Sequence, residues 1–298
     1  MILILSSFVS LLLLPVIRGQ RISEQKCIEY RTANMMVEDT LHCQQTKSLI
    51  LLPETFAGQR EFPHHTLIGW RSDNPGVKYE FLCSGALISD RFVLTAAHCG
   101  YSTSSGTPVV VRLGGHNRQD ELDNHVEDMD IEQFIKHPQY SARYAYHDIA
   151  LVKLKDRVSF SNVIRPACLW AEQNMNFTSA TAIGFQLTEY GSKSSYVLQK
   201  ENLDVVFNAK CEMFYNGSRK FPTGLSEQQY CMTSTGNRKD NCQGYSGGPV
   251  QVLTDAQNCI YHVIAFTSFG LICGAGNAPT VYSNVPSYID WIEETVWG

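Results

Sequence analysis

The sequence predicts an all-β domain that ends in an α-helix, and two patterns carry that prediction. From about residue 51 onward, short runs rich in Val, Ile, Phe and Tyr recur between Gly, Pro, Asn and Ser, as in sandwiches and barrels. The C-terminal stretch has a helical period instead, with one apolar face made by Tyr288, Trp291, Ile292 and Thr295. Residues 51–298 are therefore interpreted as one all-β unit with a C-terminal helix.

The predicted strands follow in chain order. They are His65–Trp70, Phe81–Ile88, Val109–Leu113, Ile149–Leu154, Val250–Leu253 and Tyr261–Thr267. Each is of strand length and rich in β-branched or aromatic residues. No internal repeat or low-complexity tract interrupts them.

Composition excludes several classes of protein. The chain has 298 residues, of which 44% are hydrophobic, enough for one or two sizeable cores and against a disordered chain. Its formal net charge of −5 argues against the basic surface that nucleic-acid binding needs, so we expect no nucleic-acid partner.

The first residues predict secretion. Residues 2–17 are nearly all apolar or small, too few for an ordinary membrane span, and Gly19-Gln20 offers a cleavage point. Residues 1–19 are interpreted as a signal peptide, although no Lys or Arg precedes the apolar core, and an uncleaved N-terminal anchor is the alternative. No later run is long enough to span a membrane, so we expect an extracellular protein without a membrane partner.

Ten cysteines fit an oxidising compartment, since all of them follow residue 20 and an even number remains after cleavage. Residues 20–50 are polar, contain Cys27 and Cys43, and are interpreted as a short propeptide or light-chain segment. Two sequons, at Asn176 and Asn216, predict N-glycosylation.

Three segments carry the chemistry: Leu94–Cys99 around His98, Tyr146–Leu151 around Asp148, and Asp240–Pro249 around Ser246. A serine hydroxyl is a poor nucleophile at neutral pH, so a histidine must take its proton and a carboxylate must orient that histidine.

A nucleophile elbow of the α/β-hydrolases is the alternative for Gly244-Tyr245-Ser246-Gly247-Gly248. Those enzymes follow the order Ser, acid, His, whereas this chain has the order His98, Asp148, Ser246. The alternation of strands and helices that a hydrolase sheet needs is missing as well. Both observations argue against that reading.

At this point the chain resembles the trypsin/chymotrypsin-like serine proteases over residues 51–298. The resemblance implies two six-stranded antiparallel β-barrels with the active site between them. It implies that His98 is the general base, Asp148 its orienting partner and Ser246 the nucleophile, with the N–H groups of Gly244 and Ser246 as the oxyanion hole. No cofactor and no metal ion is expected.

Within that family, Lys26–Tyr30 and Glu61–His64 resemble insect proteases of the Snake/Easter type. Such proteases often carry a clip domain, which needs six cysteines. Only Cys27 and Cys43 precede the protease domain, so we expect no clip domain. The partners implied are protein substrates, serine protease inhibitors and other cascade proteases.

The family pattern also implies a set of disulfides. It pairs Cys83 with Cys99, Cys211 with Cys231, and Cys242 with Cys273. It ties Cys168 to the propeptide, for which we expect Cys43 as the partner. Cys27 is then left to pair with Cys259.

The residues that would control activation differ from the family pattern. A zymogen of this kind is cleaved after Arg or Lys, and its new N-terminal ammonium pairs with an aspartate that directly precedes the catalytic serine. Here the corresponding segment is Leu51–Glu54 after Ile50, and Tyr245 holds the place of the aspartate. A buried ammonium without a carboxylate would cost several kcal/mol, roughly. Tyr245 either fills the vacated space or locks the loop without cleavage, and both readings stay open.

Some of the implied substrate-binding residues match a trypsin-like pocket, and one departs from it. Asp240 stands where trypsin-like enzymes hold the carboxylate that selects Arg and Lys. Ser268-Phe269-Gly270 resembles the segment that pairs with substrate and walls the pocket. Thr280 stands where the family has glycine, so we expect a shortened pocket.

Two functions follow from these residues. The first is a secreted serine endopeptidase that cleaves after basic residues. The second is a catalytically impaired homologue that binds or regulates partners in an extracellular cascade. Five acidic side chains stand where some family members bind calcium, but a solvated loop is favoured for them: Asp120, Glu121, Asp123, Glu127 and Asp128.

Overall fold

Two antiparallel β-barrels make up most of the structure, a computed structural model that describes residues 19–34, 56–58, 60–117, 125–174, 177–185, 196–235, 246–270 and 278–298. Its strands are β1 (His65–Arg71), β2 (Tyr79–Leu87), β3 (Phe92–Thr95), β4 (Val110–Leu113), β5 (Glu127–Lys136), β6 (Ala150–Leu154), β7 (Cys168–Leu169), β8 (Ser179–Gly184), β9 (Gln199–Val206), β10 (Gln229–Ser234), β11 (Pro249–Asp255), β12 (Ile260–Phe269) and β13 (Thr280–Asn284). Its helices are α1 (Ile22–Asn34), α2 (Asn208–Tyr215) and α3 (Ile289–Trp297), with 3₁₀ turns at Ala97–Gly100 and Pro286–Tyr288.

The first barrel closes in the order β1-β2-β3-β6-β5-β4, with β4 paired to β1. Its strands alternate in the usual way, so that Ile68 and Trp70 of β1 point into a core shared with Val152 and Leu154 of β6. The short β3 is buried along its whole length because it lies between this barrel and the second one.

The second barrel closes in the order β11-β8-β9-β10-β13-β12, with β11 paired back to β12. The two-residue β7 joins it by parallel pairing, with Cys168 opposite His262 of β12. The predicted pair of six-stranded antiparallel barrels is therefore confirmed, and the predicted strand segments all lie on observed strands.

One apolar cluster fastens the two barrels and the C-terminal helix together. Its members come from the first barrel, the second barrel and α3 in turn: Leu94, Ile149, Leu151, Val263, Phe266, Ile289 and Ile292. The predicted C-terminal helix is thus confirmed, and its apolar face is buried at the seam between the barrels. Within the part of the chain that is described, no helix has the length and apolar character needed to cross a membrane.

Helix α1 was not predicted, because its few apolar residues are scattered among polar ones. It is held instead by polar contacts with α3. The Glu293 carboxylate accepts hydrogen bonds from Ser23 N (3.1 Å) and Ser23 Oγ (2.6 Å), so a residue of α3 caps the first turn of α1. Arg21 pairs with the same carboxylate, and Trp297 Nε1 donates to Tyr30 Oη at 3.1 Å.

This docking corrects the predicted cysteine pairing. Helix α1 lies over β7, and Cys27 forms a disulfide with Cys168 at a Cα–Cα distance of 5.2 Å. The predicted pairs Cys43–Cys168 and Cys27–Cys259 are therefore wrong. Cys259 is also disulfide-bonded, and its partner lies outside the described residues.

The two disulfides Cys83–Cys99 and Cys211–Cys231 are confirmed. The remaining predicted bridge, Cys242–Cys273, lies outside the described residues, as does Cys43.

Candidate active site

Ser246 lies where the two barrels meet. Its carbonyl oxygen accepts a hydrogen bond from Ser84 N of β2 at 2.9 Å, while Gly247 N donates to Thr267 O of β12 at 3.1 Å. Gly247 has φ +66°, and a Cβ there would lie 2.8 Å from both Cys99 Sγ and Ser84 O. Only glycine fits this close approach, which explains the glycine directly after the serine.

His98 stands on the 3₁₀ turn that follows β3. The Cys83–Cys99 disulfide ties this turn to β2, and the His98 side chain remains about one-third exposed. Its backbone N–H donates to Asp148 Oδ1 at 2.8 Å, so the same carboxylate fixes both the backbone and the ring of this residue.

Asp148 is 3% exposed and lies two residues before the first residue of β6. Its Oδ2 accepts from His98 Nδ1 at 2.8 Å and from Ser268 Oγ at 2.6 Å, so the carboxylate has three donors in all. Ser283 Oγ of β13 donates to the Asp148 backbone oxygen at 2.8 Å. Residues of the second barrel therefore hold a carboxylate that the first barrel supplies.

The charges of the pair stabilise each other. Burial alone lowers the pKa of His98, but the charge and the hydrogen bond of Asp148 outweigh burial and raise that pKa above its ordinary value. For Asp148 burial acts to raise the pKa, and His98 together with the Ser268 hydroxyl reverses this, so the pKa lies below its ordinary value. Asp148 is thus a carboxylate at neutral pH.

This geometry sets the tautomer of the imidazole. A carboxylate can only accept hydrogen bonds, so His98 Nδ1 carries the proton and Nε2 of the neutral ring is free to accept one. Within the described residues no hydrogen bond joins Ser246 to His98. Catalytic hydrogen bonds are often long without substrate and tighten when it binds.

Two residues predicted to bind substrate face each other. A Cβ built on Gly270 would lie 3.4 Å from Thr280 Oγ1, so the threonine side chain borders the space beside this glycine. Asp240, Gly244 and Tyr245 lie outside the described residues, so the pocket base and one oxyanion donor stay predictions.

The structure adds one role that the sequence motif did not reveal. Ser268 was predicted to contact substrate, yet its hydroxyl bonds the carboxylate of Asp148. Its position two residues before Gly270 gave no sign of this contact, because residues 148 and 268 are brought together only by closure of the second barrel.

The other predicted sites are placed as follows. Asn216 is exposed at the C-terminal end of α2, and Asn176 lies outside the described residues. Among the described residues, two Cys/His groups have spacing suited to a metal ion, Cys27–Cys168–His262 and Cys83–His98–Cys99, but the cysteines of each form a disulfide and offer no thiolate. Neither group fits a metal site.

Comparison with known proteins agrees with this architecture. The family model described as Trypsin matches residues 56–292. The chain belongs to the trypsin family of serine proteases. The resemblance found in the sequence motifs is thereby confirmed.

Insect proteases are among its relatives. Serine protease snk of Drosophila melanogaster is 38% identical over 93% of this chain and 65% of its own length. Serine protease Hayan of the same fly is 34% identical over 79% of this chain and 37% of its own length. Phenoloxidase-activating factor 1 of Holotrichia diomphalia is 33% identical over 79% of this chain and 67% of its own length. The chain thus spans less than two thirds of the two fly proteases.

Proposed function

We propose that this chain is a secreted serine endopeptidase that hydrolyses peptide bonds through His98, Asp148 and Ser246. The observation that supports it most is the Asp148 carboxylate, buried and held by three donors, with His98 Nδ1 among them. A buried carboxylate is costly unless it is paired. Because this one binds Nδ1 of the imidazole, it leaves Nε2 on the other edge of the ring available as a base.

The mechanism follows from that tautomer. His98 Nε2 accepts the proton of Ser246 Oγ as the oxygen attacks the substrate carbonyl carbon. Asp148 stabilises the imidazolium that forms, and His98 then gives the proton to the leaving amine. Water, deprotonated by His98, hydrolyses the acyl-enzyme. The N–H groups of Gly244 and Ser246 stabilise the oxyanion, each worth roughly 10²–10³ in turnover.

The proposed substrates are proteins with a basic residue before the scissile bond. The support is Asp240 at the predicted pocket base, since a carboxylate there pairs with Arg or Lys. Thr280, beside Gly270, reduces the room for a long side chain, so turnover of such substrates is expected to be modest.

Secretion is supported by the predicted signal peptide and by the disulfides. The proposed partners are cascade proteases and serine protease inhibitors. One of the relatives is named a phenoloxidase-activating factor, which suggests a cascade setting for this chain too.

A catalytically impaired homologue is the second candidate. It is favoured by Tyr245 in place of the activating aspartate and by Ile50, instead of Arg or Lys, directly before Leu51. Without an ordered oxyanion hole the triad geometry alone would give little turnover.

One experiment separates the two candidates. Residues 20–298 are expressed and assayed for Arg- and Lys-ester hydrolysis before and after limited proteolysis, with the Ser246→Ala variant as the matched control. Hydrolysis that the variant lacks supports the endopeptidase. Equal, negligible turnover of both proteins under all conditions supports the impaired homologue.

A further inference from the structure

Two loops beside the catalytic pair contain basic side chains and no acidic ones of their own. Residues 137–147 lead into Asp148, and residues 216–226 follow α2. Together they contain Arg143, Arg219 and Lys220, called here the cationic rim, and no Asp or Glu. The chain as a whole has a net charge of −5, so this concentration of positive charge runs against its composition.

The loops are fastened to each other. Ala145 N donates to Lys220 O at 3.0 Å, and Lys220 Nζ donates to Ala142 O at 2.8 Å. Tyr146 Oη donates to Gly224 O at 2.7 Å. The Cys211–Cys231 disulfide closes the base of the second loop. The backbones of both loops and the Lys220 ammonium therefore hold defined positions, and Arg143 and Arg219 project from those loops.

Contacts place this pair of loops at the edge of the catalytic centre. The first loop ends at Asp148 itself. In the second loop, Phe221 packs edge-on against Phe269 at a centroid distance of 5.3 Å, and Phe269 adjoins the Ser268 that bonds Asp148. The positive charge of Lys220 also acts on the imidazole of His98: like burial it lowers the pKa of that ring, and Asp148 outweighs both.

A groove opens between α2 and the second loop. Its wall combines apolar side chains with one guanidinium: Met213, Phe221, Pro222, Leu225 and Arg219. Glu212 of α2 also lines this groove, beside Gly224, so the groove itself contains a carboxylate. Arg219 is exposed at this groove, and Arg143 is exposed on the first loop.

We propose that the cationic rim binds an acidic side chain of the protein substrate, close to the scissile bond. The inference rests on the proposed endopeptidase and names the sequence that surrounds its cleavage site. Charge complementarity supports this occupant, because three cations beside a catalytic centre attract a carboxylate and disfavour a basic side chain.

The test uses peptide pairs that differ only in Glu or Gln at one position, two to four residues away from the scissile bond on either side. Each pair is made with Arg and with Ala as the residue before that bond. The Glu peptides are expected to show a kcat/KM about two- to fivefold higher, as exposed ion pairs allow. The preference should largely disappear between 50 and 500 mM NaCl, because salt screens exposed charges.

Variants assign the preference to the rim. Lys220→Glu and Arg143→Glu should each abolish or reverse it. Lys155→Glu is the matched control, since it makes the same change of charge at a 65% exposed lysine beyond the far end of β6, and it should leave the preference intact. Because the Lys220 ammonium also donates to Ala142 O, Lys220→Glu could disturb the loop itself. Arg143→Glu removes a rim charge without breaking that contact and therefore tests the charge alone.

Binding distinguishes failure of the rim from failure of the proposed activity. Fluorescence anisotropy with the Ser246→Ala protein measures the Kd of the same peptides without any turnover. Tighter binding of Glu peptides, lost in Lys220→Glu, supports the rim even in an inactive chain. Equal Kd values for Glu and Gln peptides, or binding of a sulfated polysaccharide alone, would overturn the proposal.

Discussion

Replacing Asp148 by asparagine keeps the shape of the side chain and removes its charge. In the structure Oδ2 accepts from two donors, His98 Nδ1 and Ser268 Oγ. An amide nitrogen at that place is itself a donor, so the Nδ1 proton has no acceptor there. His98 is then expected to take the other tautomer, with the proton on Nε2, where it cannot accept the proton of Ser246.

The expected loss in kcat is about 10⁴-fold, the effect of this change in the Ser-His-Asp template, which corresponds to about 5 kcal/mol of transition-state stabilisation. The pH profile should move as well. Asp148 is what raises the pKa of His98 against burial, so without it the pKa should fall below the ordinary value. The acid limb of kcat/KM therefore shifts to lower pH.

The assay is ester hydrolysis from pH 5 to 9 for Asp148→Asn, with Asp204→Asn on β9 as the matched control. Asp204 is exposed, and its variant should match the parent in rate and profile. A variant of Asp148 that keeps more than a tenth of the parent kcat, or whose acid limb moves to higher pH, would refute the reasoning.

Three further predictions follow from particular contacts. Thr280→Gly should raise kcat/KM for Arg esters relative to Ala esters by about tenfold, since removing pocket carbon atoms admits a longer side chain; an unchanged ratio would place the restriction elsewhere. Glu293→Gln should lower the free energy of urea unfolding by about 1–2 kcal/mol and speed proteolysis of α1, because its carboxylate holds both donors of Ser23, and equal stability would contradict that role. Buried His65 has its pKa lowered to about 3 by burial, so the unfolded chain takes up a proton below about pH 6.5 that the folded chain does not. Stability should then fall by about 1.4 kcal/mol per pH unit from pH 6 to 4 for this group, and His65→Gln should remove that share of the slope.

The sequence predicts the barrels well because the strands are short runs rich in β-branched and aromatic residues that end at Gly, Pro, Asn or Ser, a pattern visible in the residues themselves. The proposed catalytic residues could be named from the sequence for a related reason. Their chemistry requires particular residue types in a particular chain order, and His98, Asp148 and Ser246 show both.

Contacts between distant segments were harder to predict. Helix α1 owes its place to Glu293 of α3 and to one disulfide, and neither leaves a periodic signal in residues 20–50. The predicted pairing of Cys168 with Cys43 was wrong because the cysteine spacing does not show which part of the N-terminal segment lies over β7. The bond from Ser268 to Asp148 depends on closure of the second barrel, which a local motif does not describe.

Covalent labelling measures whether Ser246 is a nucleophile that His98 activates. Residues 20–298 are treated with a fluorophosphonate probe before and after limited proteolysis, and the modified peptide is identified by mass spectrometry. We expect a single adduct on Ser246, formed at a rate that falls as the pH drops through the pKa of His98 and that Asp148→Asn strongly reduces. An adduct on another serine, or no adduct under either condition, would contradict it.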